Sequence, residues 1–138
     1  MNDLSSPPDL LAVDHIHVYV ADRSAAERWY RDVMGLTRDP GLAFWADDRG
    51  PLTVRNTADT VHLAPFERPP ERNRATVALR VDAAGFLAWR KHLEAALGQA
   101  VEAADHEVSW SMYFTDPDGN PYEITSYDYA ALRERLQA

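Results

Sequence analysis

Cysteine is absent from this chain. Its absence excludes disulfides and any metal site built on thiolates. A basic stripe is missing too. Acidic side chains outnumber basic ones and the formal net charge is −8, so the electrostatic footprint of a nucleic-acid binder is not there. No apolar run approaches the roughly 20 residues of a membrane span. The start, MNDLSSPPDLL, carries neither the basic region nor the apolar stretch of a secretory signal. The expectation is a cytoplasmic protein that contacts neither nucleic acid nor membrane. With 138 residues, of which 46% are hydrophobic and 26% charged, the chain has the size and balance of one compact domain.

What is present falls into two similar halves. Residues 1–12 read as a lead-in, because Ser-Ser-Pro-Pro blocks regular structure. Residues 13–20 alternate as a strand, and Asp22 is placed to cap a helix over 24–34 that Gly35 ends. Within it Ala26, Trp29, Tyr30 and Val33 recur at helical spacing. Extended runs are expected at 42–46, 52–55 and 60–64. The plan then restarts: a strand over 75–81, a helix after Asp82 with Phe86, Leu87, Trp89, Leu93 and Leu97 on its apolar stripe, and runs at 101–104, 109–115 and 122–127. The segments are a first βαβββ module at 13–66, a linker at 67–73, a second module at 74–127 and a terminal helix at 128–138. The fold class expected is α+β, with two tandem βαβββ modules curving into a cup-shaped mixed sheet. A repeat of about 60 residues underlies it. Residues 15–20 precede 76–81 by 61 positions, and the same shift pairs His62 with Glu123.

Strand alternation sorts the side chains by face. In the first strand Ile16, Val18 and Val20 belong under the helix, and His15, His17 and Tyr19 face away. By the same rule Thr76, Ala78 and Arg80 oppose Val77, Leu79 and Val81. His62 opposes Val61 and Leu63, and Glu123 opposes Tyr122 and Ile124. Ser109, Ser111 and Tyr113 oppose Trp110, Met112 and Phe114. If the polar faces meet in one concavity, His15, His62 and Glu123 approach from three strands. Burying them unpartnered costs several kcal/mol. A divalent cation removes that cost, and two imidazoles with one carboxylate also suit a non-haem iron centre. Arg80 suits a carboxylate or enolate oxygen. His17 is a second ligand option or a substrate contact, and Tyr19, Ser111 and Tyr113 line the cup. Asp116-Pro-Asp-Gly-Asn reads as a turn rather than a calcium loop. His92 is expected in solvent on the polar face of its helix, and His106 and Glu107 in a loop beside the cup.

The stretches DHIHVYVADRSAAERWYRDVMGL and YFTDPDGNPYEIT resemble the two ends of a vicinal oxygen chelate protein. That superfamily holds glyoxalases, fosfomycin-resistance enzymes, extradiol dioxygenases and bleomycin-binding proteins. The resemblance runs from Val13 to Tyr127. It implies paired βαβββ modules with a divalent metal in the cup, drawn from first and last strands. His15 matches the first-strand histidine and Glu123 the last-strand glutamate. His62 falls where glyoxalase I has a glutamate. Thr76 is the departure, since it stands where the metal-binding branches carry a histidine.

Two functions follow as expectations. The first is an enzyme using a divalent metal (Fe, Mn, Ni or Zn) held by His15, His62 and Glu123. It would act as a lyase, isomerase or ring-cleaving oxygenase on a small oxygen-chelating substrate. Glu123 or His17 would be the general base, and Tyr19, Arg80, Ser111 and Tyr113 the substrate contacts. The second is a metal-independent binding or sequestration protein of the bleomycin-resistance type, holding a flat ligand against Trp45, Trp110 and Tyr113. Either is expected to be a homodimer, with the cup closed within one chain or across two.

Overall fold

The computed structural model describes residues 6–69 and 71–137. Residues 1–5 of the expected lead-in and Pro70 of the expected linker lie outside the described residues. The first module runs β1 (Ile16–Val20), α1 (Arg23–Met34), β2 (Thr37–Arg38), a 3-10 helix (Pro40–Arg49), β3 (Val54–Arg55) and β4 (His62–Glu67). The second runs β5 (Val77–Arg80), α2 (Ala83–Leu97), β6 (Ala104–Asp105), β7 (Trp110–Thr115) and β8 (Pro121–Ser126), and α3 (Tyr129–Leu136) follows. Each module forms a four-stranded mixed sheet, in the order β1-β4-β3-β2 and β5-β8-β7-β6. The first and last strands of each module are parallel and the remaining pairs antiparallel. This is the expected α+β fold of two βαβββ modules.

The helices begin and end by the same device. The carboxylates of Asp22 and Asp82 accept hydrogen bonds from the N–H groups of Ala25 (3.1 Å) and Gly85 (2.7 Å). Those bonds satisfy amides that would otherwise point at nothing. Gly35 and Gly98 close the helices at φ +68°, a backbone state costly to residues bearing a Cβ. The buried faces, Ala26, Tyr30, Val33 and Met34 on α1 and Phe86 and Leu93 on α2, join strand residues in one core spanning both modules. Trp29 packs against Phe114, with ring centres 6.4 Å apart. His92 is not simply in solvent: its Nε2 donates to the Val33 carbonyl (2.8 Å) and so caps the end of α1 from α2.

Four local expectations are corrected. The run at 42–46 is not extended but part of the 3-10 helix. Asp39 caps it by accepting from the Gly41 N–H (2.9 Å), and Pro40 stands at its first position, where a missing N–H costs nothing. Residues 101–103 form no strand, and β6 is only Ala104–Asp105. β4 runs past the expected 60–64 through Pro65 and Phe66 to Glu67, the first residue of the expected linker. Finally, a single shift of 61 fails. Ile16 and Val77, 61 positions apart, pair with Leu63 and Tyr122, which are only 59 apart. Helix length and the strand turns both differ between modules. The turn from Asn56 to Val61 is one residue longer than that from Asp116 to Asn120, and each is closed by a backbone bond between its ends. Glu123 therefore corresponds to Ala64, and His62 to Pro121.

The DPDGN segment is a turn, but also the junction of the modules. Asp116 is 3% exposed. It accepts from the N–H groups of Asp118 (2.9 Å) and Asn120 (2.8 Å), the Asn120 amide (2.8 Å) and the Tyr30 hydroxyl (2.6 Å). The Tyr122 hydroxyl lies 2.7 Å from that of Tyr30. Burial pushes both phenols well above the ordinary tyrosine range, and the neighbouring Asp116 charge pushes the same way. Asn120 also donates to the Tyr19 carbonyl (3.1 Å), and Asn73 to the His17 carbonyl (3.2 Å). Side chains from the second half thus cover the open edge of β1. Among the described residues no helix is long and apolar enough to cross a membrane.

Candidate functional site

A cleft of about 330 Å³ opens in the first module, lined by Asp14, His15, Asp39, Gly41, Leu42, Trp45, Thr53, Asp59 and His62. Sequence order alone does not bring these together. His15 enters from just before β1, Asp39 and Trp45 from the 3-10 helix, Thr53 from just before β3, and Asp59 and His62 from the turn into β4. His62 also lines a wider groove, about 460 Å³, whose far wall is β5 with Thr76 and Ala78.

His15 is held on both ring nitrogens. Its Nδ1 lies 2.7 Å from the Asp14 carboxylate and its Nε2 lies 3.0 Å from Nε2 of His17. The tautomer satisfying both contacts donates from Nδ1 to Asp14 and accepts at Nε2 from His17. The rings stack at 5.0 Å, and His17 leans on Phe66 at 4.8 Å. Tyr19 follows on the same face, 6.4 Å from Phe66 edge to face.

His62 Nε2 is 2.6 Å from the Asp59 carboxylate. Asp39 is the third member of this group. The ligand-type atoms of Asp39, Asp59 and His62 all lie within 4.8 Å of one another. Among the described residues this is the group of three or more His, Cys, Asp or Glu that meets that distance. His15, His62 and Glu123 do not form such a group. The acids beside His62 come from its own module, and Asp39 and Asp59 were not singled out from the sequence. Their signal was faint: Asp39 precedes a Pro-Gly pair, and Asp59 lies in a turn that holds neither Pro nor Gly.

Glu123 stands on the other sheet, where it accepts from Ser111 Oγ (2.7 Å). Ser111 is buried and also meets Thr125 (3.1 Å). Tyr113, half exposed, bonds His106 (2.9 Å) across the β6–β7 turn. Arg80 lies over the Tyr127 ring at 5.9 Å, in a separate cleft. Trp110 is 4% exposed, stacks on Tyr129 and donates to its carbonyl (3.3 Å). It belongs to the core and offers no face to a ligand, which corrects its expected role in flat-ligand binding. Trp45 remains open on the cleft.

The fold agrees with what the chain matches. A family model described as the Glyoxalase/Bleomycin resistance protein/Dioxygenase superfamily matches residues 12–124. The chain belongs to that superfamily. No curated protein matches it. Solved structures of superfamily type do. A glyoxalase/dioxygenase from Nostoc punctiforme is 21% identical, with 92% of this chain and 98% of that one covered and a TM-score of 0.67. A glyoxylase/bleomycin resistance protein/dioxygenase domain from Frankia sp. EAN1pec is 16% identical over 86% and 93%, TM-score 0.65. The fosfomycin resistance protein FosX from Listeria monocytogenes, solved with Mn(II) and sulfate, is 15% identical over 93% and 99%, TM-score 0.64. These likenesses show a shared fold.

The superfamily's divalent metal can be tested against these donors. Thr76 offers a hydroxyl where the resemblance asks for an imidazole, so the usual set is incomplete. The first-module cleft has imidazoles and carboxylates together, a nitrogen and oxygen set suited to a first-row divalent ion.

Proposed function

We propose that this superfamily member is a divalent-metal-dependent enzyme acting on a small substrate that presents two neighbouring oxygens. The observation that carries the reading is the shared cleft. His15 and His62, from opposite ends of the first module's sequence, line one cavity with the carboxylates of Asp14, Asp39 and Asp59. His62 is the proposed imidazole ligand, and His15, whose two ring nitrogens meet Asp14 and His17, lines the same cleft. The Asp14 carboxylate at His15 Nδ1 fixes the orientation of that ring in the cleft. When bound, the cation would polarise substrate oxygens and stabilise an enolate or alkoxide.

The chain's own residues do the rest. His17, in hydrogen-bond contact with His15, holds a proton next to the cleft. Glu123, oriented by Ser111, is the proposed general base. It sits on the other sheet, so its role calls for a homodimer in which the β8 face of a second protomer meets the first module's cleft. Tyr19, Tyr113 and Arg80, all on exposed strand faces, are proposed to contact substrate in that assembly. Protein purified without chelators and reconstituted with Mn, Fe, Ni or Zn should hold about one equivalent per chain. Less than about 0.1 equivalent with every metal contradicts the reading.

One feature favours a second reading, metal-independent binding of a flat ligand. Trp45, 40% exposed, forms part of the cleft wall beside Phe44 at 64%. A ligand that quenches Trp45 fluorescence equally with and without EDTA supports sequestration. Loss of that signal on chelation supports the enzyme.

A further inference from the structure

We infer that the cation is held within the first module by Asp39, Asp59 and His62, with the Thr53 hydroxyl as a fourth donor and Arg55 as the internal counter-ion. This rests on the metal-dependent reading above and names its ligands. They differ from the first- and last-strand set that the resemblance implies.

Each donor is fixed by the backbone. Asp39 caps the 3-10 helix through one carboxylate oxygen, 2.9 Å from the Gly41 N–H. Its other oxygen has Arg55 Nε at 3.7 Å. Its own N–H donates to the Thr53 carbonyl (3.0 Å), which ties the two residues together. Asp59 sits at φ +61° at the head of the turn into β4, and that unusual backbone state brings its carboxylate onto His62. His62 is register-paired with Arg55 across β3 and β4. The side chains of Asp39 and His62 are 18% and 21% exposed, sheltered but reachable from solvent.

Thr53 is the independent sign of a ligand. It is 3% exposed, lines the same cleft, and its Oγ1 has no hydrogen-bond partner in the protein. It is the buried side-chain polar atom left unpartnered among the described residues. Natural folds rarely leave a buried hydroxyl unpaired, because desolvation is then uncompensated. A bound ion, or a water held on it, supplies the partner. Arg55 does not remove the need for a cation. At 3.7 and 3.8 Å its Nε balances the charge of Asp39 and Asp59 but lies beyond hydrogen-bond distance of both. Two carboxylates, one imidazole and one hydroxyl form a mixed oxygen and nitrogen set, which suits Mn²⁺ or Zn²⁺ better than a thiophilic ion.

The test is Mn²⁺ titration of the full chain by calorimetry, with wild type beside Asp39→Asn, His62→Gln, Thr53→Val, Arg55→Gln and Glu123→Gln. Asp39→Asn and His62→Gln should weaken binding by at least about tenfold, and Thr53→Val by a few-fold. Arg55→Gln should tighten it, since a competing positive charge is gone. A measurement on wild type alone guards against misfolded variants. Substoichiometric Mn²⁺ should broaden the amide signals of Asp39, Thr53, Asp59 and His62 before those of β8. If Mn²⁺ binds, but Glu123→Gln loses it and Asp39→Asn keeps it, this ligand set is wrong and the metal reading stands. Broadening that begins at β8 has the same meaning, and weaker binding in Arg55→Gln removes the counter-ion role. If wild type binds neither Mn²⁺ nor Zn²⁺, both readings fall.

Discussion

At the scale of single residues, the side chain under most constraint is Asp116. A carboxylate buried in the core survives only if its oxygens are occupied, and here four donors occupy them. Asp116→Ala leaves those donors facing an apolar hole and should cost on the order of 2–4 kcal/mol, measured by urea unfolding. Tyr30→Phe removes one donor and should cost about 1–3 kcal/mol. The pair also sets an alkaline limit. The native state holds the Tyr30 and Tyr122 protons beyond the pH at which unfolded tyrosine, near pH 10, releases them. Above that value the unfolded state binds fewer protons, so stability is full below about pH 10 and falls as pH rises. Tyr30→Phe should show a shallower loss between about pH 10 and 11.5. An unchanged slope would place the titrating groups elsewhere. The sequence showed DPDGN as a turn because Pro and Gly declare themselves locally. It hid the partnership with Tyr30 because that residue lies 86 positions away.

At the scale of elements, caps and faces were legible and irregular pieces were not. Asp22, Gly35, Asp82 and Gly98 mark helix ends by chemistry that acts within four residues. Asp82→Ala should cost about 1 kcal/mol in thermal or denaturant unfolding. No measurable cost would mean that the neighbouring Asp128, which accepts from the Ala83 N–H (2.8 Å), carries the helix start alone. The run Leu-Ala-Phe-Trp-Ala from Leu42 looked extended because it is apolar. It lacks the alternation of a half-buried strand, and the Asp39-Pro40 start turns it into a 3-10 helix. That error concealed Asp39, whose position on the cleft depends on the cap it makes.

At the scale of the whole molecule, duplication made the fold readable and also misled the site. Two βαβββ units were visible because helix and strand periods repeat. A fixed shift joined His62 to Glu123, yet unequal helices and turns make the spacing slide from 61 to 59. A two-residue slide keeps a side chain on its face but carries it roughly 6–7 Å along the strand, too far to share one ion. The modules are joined by Asn120 and Asn73 along the β1 edge and by the Tyr30 cluster within the core. Asn120→Ala should therefore cost about 1–3 kcal/mol without splitting the transition in two. Two separate calorimetric transitions would show the modules to be independent.

The central claim, that the first-module cleft takes a divalent cation, is tested most directly by Mn²⁺ stoichiometry and the position of the bound ion. Anomalous scattering from Mn²⁺-soaked crystals should give one peak among Asp39, Asp59 and His62, about 2.0–2.2 Å from the ligand atoms. No peak at saturating Mn²⁺, with calorimetry giving under about 0.1 equivalent, would contradict it.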